Sequence, residues 1–138
     1  MTTLQPGFWV CIEMMDAYLD CNASQPYKDQ PLAQDWARVA KVTEEAGEAV
    51  AELISYTGQN PRKPQRPEAR EALLEELADV VLTAIEGIQH FTKDVASTRK
   101  VIDDKLQATC RRVHLLPEPT ANAPLGAGTA HMGRFARS

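Results

Sequence analysis

Two acidic stretches separated by a proline-rich turn decide the fold of this chain: Lys41-Val-Thr-Glu-Glu-Ala-Gly-Glu-Ala-Val50 and Glu71-Ala-Leu-Leu-Glu-Glu-Leu-Ala-Asp-Val80. Each stretch lies in a run of strong helix formers, so we expect two helices. Glu44 and Glu48 lie roughly one turn apart on the first helix, with Glu45 between them. On the second helix, Glu76 and Asp79 are i, i+3 neighbours. If the helices pack antiparallel, about four or five carboxylates converge.

The acids of the first helix admit two interpretations. Clustered carboxylates repel one another unless a cation neutralises them, and Mg²⁺ is commonly held by a few carboxylates, water and substrate phosphates. One hypothesis is therefore a magnesium-dependent enzyme acting on a nucleoside triphosphate. The other is a solvated helix face, which periodicity alone favours because the polar and apolar side chains form two opposite stripes. The polar stripe comprises Lys41, Glu44, Glu45, Glu48 and Glu52, and the apolar stripe Val39, Ala46, Val50 and Leu53.

On the second helix, the position of each acid relative to the apolar stripe distinguishes Glu76 from the others. Its apolar stripe consists of Leu73, Leu77, Val80, Ala84 and Ile88. Glu76 lies only about 40° from Val80 on the helical wheel, at the border of that stripe. We expect Glu71, Glu75 and Glu86 to point towards the exposed side. A carboxylate beside the buried face carries a desolvation cost unless it is paired or bound to a metal, which favours a site at Glu76.

The spacing of these acids resembles a known family. Glu44-Glu45-x-x-Glu48, followed after a proline-containing linker by Glu76-x-x-Asp79, is similar to the EExxE…ExxD pattern of MazG-type all-α nucleoside triphosphate pyrophosphohydrolases. Further segments resemble the short MazG-like proteins of actinobacteria and their phages: Thr57-Gly-Gln-Asn-Pro-Arg-Lys63, Glu-Leu-Ala-Asp-Val at 76 to 80, and Asp104-Lys-Leu106. The resemblance covers most of residues 32 to 112.

The resemblance implies an activity and a metal site. The reaction is hydrolysis between the α and β phosphates of an NTP or dNTP, which yields the monophosphate and pyrophosphate, as in nucleotide-pool housekeeping. We assign Glu45, Glu48, Glu76 and Asp79 as ligands of Mg²⁺, for which Mn²⁺ is a possible substitute. We assign catalysis to Glu44 and Glu45, with Glu44 either a further ligand or the group that orients the water. Neighbouring carboxylates titrate as a coupled set, so no single base is named.

The triphosphate also needs cations beyond the metal. Lys105 matches a lysine of the family, and Arg62 and Lys63 lie in the linker, where a solvated connector is the alternative. For the base, Trp36 or Asn60 is a candidate, although a tryptophan in an amphipathic helix is more often core. The predicted substrate-binding set is Lys105, Lys41, Arg62, Lys63, Asn60 and Trp36.

Length and composition bound the class of protein. The 138 residues fit one domain, and 43% hydrophobic residues with few aromatics suit a helical bundle. A net charge of −4 argues against a nucleic-acid or anionic-membrane partner. Cys11, Cys21 and Cys110 show no metal-ligand or disulfide spacing, and no apolar run is long enough to span a bilayer. These features indicate a cytoplasmic protein.

The remaining sequence predicts an all-α, four-helix bundle-like fold of the MazG type. Helices are expected over about residues 6–22, 32–56, 67–91 and 94–114, with the last three forming the core. We predict one domain over residues 1–116 and a flexible, disordered tail over 117–138. Gly47 costs the first acidic helix on the order of 1 kcal/mol relative to alanine, which close approach of a helix or ligand would explain.

Two further expectations concern assembly and activity. The family resemblance implies a homodimer or homotetramer, since a short bundle seldom encloses a site alone. The alternative to an enzyme is a non-catalytic helical module that binds nucleotides or mediates oligomerisation. The presence of all the acids of the EExxE…ExxD pattern disfavours that alternative.

Overall fold

Four α-helices account for most of the chain. The computed structural model describes residues 7–23 and 27–117, and these ranges contain no β-strand. The prediction of an all-α fold with four helices is therefore confirmed. The helices are α1 (Phe8–Asn22), α2 (Pro31–Thr57), α3 (Ala69–Thr92) and α4 (Val95–Arg112), with a short 3₁₀ turn at Tyr27–Asp29. The predicted tail lies outside the described residues from position 118 onward.

The chain divides into two compact units, and the division falls within α4. The first unit ends at Asp103 and contains α1, α2, α3 and the first turns of α4. The second begins at Asp104 and contains the rest of α4. The single domain predicted over residues 1–116 stays a prediction. All packing described below belongs to the first unit.

The two acidic helices pack along each other in antiparallel fashion. At one end Asp35 of α2 meets His90 of α3, with Oδ1 and Nε2 2.7 Å apart. At the other end the Arg66 amide, just before α3, donates to the Ser55 carbonyl at 2.9 Å. The antiparallel arrangement places the middle of α2, around Glu45, opposite the first half of α3.

The buried interior differs from the expected core of the last three helices. The first helix packs on α3, and its Ile12 is only 3% exposed. Ala49 of α2 and Ala69 at the start of α3 are also buried. Small residues at these two positions allow the helices to approach closely, because a larger side chain would push the backbones apart. The expectation that α1 stands outside the core is wrong.

An ionic network fixes α1 against α2. Arg38 Nη2 donates to Asp20 Oδ1 at 2.8 Å and lies 3.5 Å from Asp16 Oδ1. Arg38 and Asp16 are almost entirely buried, so this pairing offsets much of their desolvation cost. Asp20 also lies 4.0 Å from Nδ1 of His90, which extends the network to α3.

The helix ends follow local rules. Pro31 is the first residue of α2, where a missing amide hydrogen costs nothing. The helix ends at Gly58, whose φ of 69° is left-handed, and the Gly58 amide donates to the Ile54 carbonyl. The sequence predicted that α3 begins at Pro67. In the structure Pro67 lies two residues before the first residue of α3. Residues 58–68 therefore connect α2 to α3, beginning at the Gly58 cap and held near their end by the Arg66–Ser55 hydrogen bond.

A candidate metal centre between two helices

Three acids from α2 and α3 converge. One oxygen each from Glu45, Glu76 and Asp79 lies within 4.8 Å of the others. The i, i+3 spacing puts Glu76 and Asp79 on one face of α3, and antiparallel packing brings Glu45 opposite them. Three carboxylates this close form a set of hard oxygen donors suited to a divalent cation.

A fourth acid adjoins this group. Glu48, almost one turn beyond Glu45 on α2, shares a hydrogen bond with Glu76. Desolvation raises the pKa of the Glu76 carboxyl above its usual value, and the charges of Glu48, Asp79 and Glu45 raise it further. We call Glu45, Glu48, Glu76 and Asp79 the acid cluster; all four predicted metal ligands thus lie in one place.

Lys41 is the counter-charge of the cluster. Its Nζ lies 2.7 Å from Glu45 Oε1 and 3.0 Å from Glu44 Oε1. Hydrogen bonds to Glu45 and then Glu44 raise the pKa of Lys41 above its usual value, so it is charged at neutral pH. Glu44 itself is more than half exposed and is not one of the three converging acids. The predicted water-orienting role of Glu44 stays a prediction.

The solvated-face interpretation of α2 is wrong for its central acid. Glu45 is 7% exposed, whereas Val39, Val50 and Leu53 of the apolar stripe are 53%, 54% and 44% exposed. The helix therefore buries Glu45 against α3 and leaves much of its apolar side exposed, while Lys41, Glu44 and Glu48 of the polar stripe remain exposed. Because amphipathic periodicity shows only that two faces differ, it did not reveal which face is inside.

A cavity of about 480 Å³ continues from the acid cluster. It lies between α1, α2 and α3, and Lys41 belongs to its wall as well as to the cluster. Glu86 also lines it and is partly buried, so the expectation that Glu86 points to the exposed side is wrong. Gln34, Arg38 and Thr83 also contribute polar groups to the wall of this cavity.

Two of the predicted substrate residues line a second cavity, of about 320 Å³, at the other end of α2. Asn60 and Lys63 contribute to its wall together with Arg66 and Glu52. Arg62 does not line it; its amide donates to Asn60 Oδ1 at 3.0 Å, which stabilises the turn. This cavity is basic on its loop side, as an anion-binding surface requires.

The other two substrate candidates lie elsewhere. Trp36 is 76% exposed and lines neither of these cavities; it borders a shallow apolar pocket with Val39 and Phe91. The alternative interpretation of Trp36 as a core residue is therefore wrong, and its assignment to the base stays a prediction. Lys105 belongs to the second unit of the chain, and its assignment to the triphosphate stays a prediction.

Sequence reasoning missed a second polar group. Ligand atoms of Asp16, Asp20 and His90 also lie within 4.8 Å of one another. Arg38 already pairs with both aspartates, so this group resembles a structural network more than a vacant cation site. The available signal was the i, i+4 pair of aspartates that interrupts the apolar positions of α1.

Comparisons with known proteins return nothing: no family model, no curated protein and no solved structure matches this chain. None of the described helices combines the length and the apolar character needed to cross a bilayer.

Proposed function

We propose that this protein is a Mg²⁺-dependent nucleoside triphosphate pyrophosphohydrolase that converts an NTP or dNTP to the monophosphate and pyrophosphate. The observation that carries the proposal is the meeting of Glu45, Glu76 and Asp79 within 4.8 Å across two helices. Acids that served only solubility would be expected on the outer surface, where water solvates them at no cost.

The donor chemistry of the acid cluster suits Mg²⁺. Four carboxylates with a single close lysine leave an excess of negative charge, which adds to desolvation in raising the pKa of Glu76. Glu45, Glu48, Glu76 and Asp79 are the ligands we assign, and Mn²⁺, which prefers the same oxygen donors, is the expected substitute. Cysteine and histidine are missing from this group, which argues against zinc.

The residues around the cluster have distinct roles in this proposal. Bound Mg²⁺ supplies charge stabilisation to the phosphates and lowers the pKa of a coordinated water. With Mg²⁺ held by the acid cluster, Lys41 would pair with the triphosphate, and Lys63 would bind its far end from the loop. Glu44, released from Lys41, orients the attacking water. Most of the rate then comes from positioning and electrostatics, as in phosphoryl transfer generally.

The proposed protein acts as a homodimer or homotetramer in the cytoplasm. Support for an assembly comes from the exposed apolar side of α2 and α3, on which Trp36, Val50, Leu74 and Val81 are each at least half exposed. A patch of that kind usually marks an interaction surface. Nucleotide-pool housekeeping is the role that fits such an activity.

Pyrophosphate release tests the proposal. The protein is incubated with Mg²⁺ and each canonical or deoxynucleoside triphosphate, and the assay is repeated with Glu48→Gln and Asp79→Asn. Both variants are expected to lose activity by at least about 100-fold while keeping their helicity. Glu75→Gln, on the exposed side of α3, is the matched control and keeps full activity. Tight nucleotide binding without any turnover would favour the non-catalytic module.

A further inference from the structure

The cavity beside the acid cluster extends along the seam between α2 and α3. Lys41 connects the two, because it lies 2.7 Å from Glu45 and also lines the cavity wall. From Lys41 the wall continues one and two turns along α2 to Arg38 and Gln34, and on α3 it runs from Thr83 to Glu86. A molecule held at the acids by one end therefore has a cavity available for the other.

The spacing suits a nucleotide. Asp79 of the cluster and Glu86 of the cavity are separated by seven residues of α3, or about 10.5 Å along the helix axis. That is comparable to the reach from the phosphates of an extended nucleotide to the edge of its base. The second cavity has the same balance of charged residues, with Lys63 and Arg66 against Glu52, but its lining is less apolar and therefore suits phosphates better than a base.

The polar groups of the cavity are few and specific. Among the described residues, Glu86 is the only acid that lines this cavity. Burial raises the pKa of the Glu86 carboxyl, while the guanidinium of Arg38 lowers it. As a carboxylate, Glu86 only accepts hydrogen bonds, whereas the protonated acid would also have one donor. Arg38 lines the cavity, and its Nη1 is buried without a hydrogen-bond partner among the described residues.

We propose that this cavity binds the base of the nucleotide, and that Glu86 accepts a hydrogen bond from an exocyclic amino group. Cytosine, adenine and guanine carry such a group, whereas uracil and thymine carry a carbonyl in place of the cytosine amine, beside an N3–H donor. A carboxylate facing a carbonyl leaves two acceptors opposed, which costs binding energy. Glu86 thus determines specificity, and the inference rests on the proposed function of the acid cluster.

The test compares dCTP with dUTP, which differ in a single amine and carbonyl at one ring position. For the full-length protein, kcat/KM for dCTP is expected to exceed that for dUTP by about tenfold or more. Glu86→Gln replaces the carboxyl with an amide that can turn either a donor or an acceptor to the base. This variant should lose the preference by gaining activity on dUTP, a gain that a distorted site does not produce. Glu75→Gln, on the exposed side of the same helix, keeps the preference.

Binding of the non-hydrolysable α,β-methylene analogues of dCTP and dUTP, measured with Mg²⁺, separates this inference from the proposed function. A preference for the dCTP analogue that disappears in Glu86→Gln supports the base assignment even if no pyrophosphate is released, and in that case only the proposed catalysis fails. Pyrophosphate release with equal activity on dCTP and dUTP overturns the base assignment and leaves the catalysis intact. A preference unchanged by Glu86→Gln overturns the role of Glu86.

Discussion

Lys41 pairs with Glu45, one of the proposed metal ligands, at 2.7 Å. The ammonium group satisfies a carboxylate that is 7% exposed, and this pairing makes the buried acid tolerable in the metal-free protein. A divalent cation at Glu45 therefore competes with Lys41 for the same oxygen. When the metal binds, the lysine becomes free to pair with phosphate.

Replacing Lys41 with methionine should strengthen the binding of a divalent metal and weaken the binding of the nucleoside triphosphate. Without the positive charge, the acid cluster should bind Mn²⁺ about three- to tenfold more tightly in the absence of nucleotide, because half of Lys41 is exposed and screened. The KM for the nucleoside triphosphate should rise about tenfold, since one phosphate partner is lost. Titration calorimetry and steady-state kinetics measure the two effects. Lys28→Met in the 3₁₀ turn is the control, and parallel changes in both affinities would contradict the role assigned to Lys41.

The pH dependence of stability follows from Glu76. Its pKa is higher in the folded protein than the ordinary value of 4.5, because desolvation and then the neighbouring acids favour the neutral form. The folded state therefore binds a proton more readily than the unfolded state does. The contribution of Glu76 to the free energy of unfolding is fully present below about pH 4.5. It is lost as the pH rises through the folded-state pKa of Glu76.

Metal-free wild-type protein should accordingly gain stability relative to Glu76→Gln as the buffer is taken from about pH 7 to about pH 5. Chemical denaturation in the presence of a chelator measures the difference. Adding Mg²⁺ at neutral pH should stabilise the wild type and leave the variant unchanged, because binding to the folded state raises its stability. A wild-type advantage that grows with rising pH in chelator would show that the Glu76 pKa is lowered on folding rather than raised.

The acids of the candidate site could be selected from the sequence, and the base pocket could not. The i, i+3 and i, i+4 spacings limited which carboxylates share a helix face, and Glu76 stood out beside Val80. Glu86 looked solvated because its wheel position lies away from the stripe of α3. Its burial depends on α1, whose placement no local pattern specifies. Trp36 was misjudged for a similar reason, since composition does not tell an outward-facing tryptophan from a buried one.

At the scale of elements, α2 is the helix whose ends were predicted well and whose orientation was not. Its limits differ from the predicted 32–56 by only one residue at each end, because Pro31 and Gly58 mark them in the sequence. Its orientation depends on a partner surface. Both stripes have helical periodicity, and only contact with α3 decides that Glu45 of the acidic stripe is buried.

Two glycines on and beside α2 should respond oppositely to alanine. Gly58 has a φ of 69°, and an added Cβ would lie 3.0 Å from Cβ of Gln65. Gly58→Ala should therefore lower the free energy of unfolding by about 1–2 kcal/mol. An added Cβ at Gly47 meets nothing within 4 Å in the described chain, which removes close approach of a described helix as the reason for this glycine. Gly47→Ala should raise the free energy of unfolding by about 0.5–1 kcal/mol.

Thermal and urea unfolding of the two alanine variants measure these changes. Equal destabilisation by both substitutions would contradict the cap at Gly58 and the open space at Gly47. If Gly47→Ala is more stable but loses activity, the space beside Gly47 is used by a ligand or by a second copy of the chain.

At the scale of the whole molecule, the described chain buries little apolar surface. Ile12, Ala49 and Ala69 are its fully buried hydrophobic residues. Larger side chains remain outside, including Trp36, Val39 and Phe91, which border one shallow pocket. A single hydrophobic core of this size stabilises a helical protein poorly, so an assembly is the expected way to cover the rest.

Replacing Trp36 with glutamate should therefore disperse the assembly. Sedimentation velocity is expected to show a dimer or tetramer for the wild type and a shift towards monomer for Trp36→Glu, because a charge in a desolvated contact costs several kcal/mol. Gln59→Glu, an exposed polar position at the far end of α2, introduces the same charge and should leave the assembly intact. A strictly monomeric wild type would contradict this account of the apolar surface.

The most direct measurement is the anomalous density of Mn²⁺ in crystals soaked with the metal and a non-hydrolysable nucleoside triphosphate. We expect a peak between Glu45, Glu76 and Asp79, with phosphate oxygens completing the coordination of the ion and Lys41 turned from Glu45 to the phosphates. Well-ordered nucleotide with no manganese peak among these three acids, or a peak only at Asp16, Asp20 and His90, would contradict the central claim.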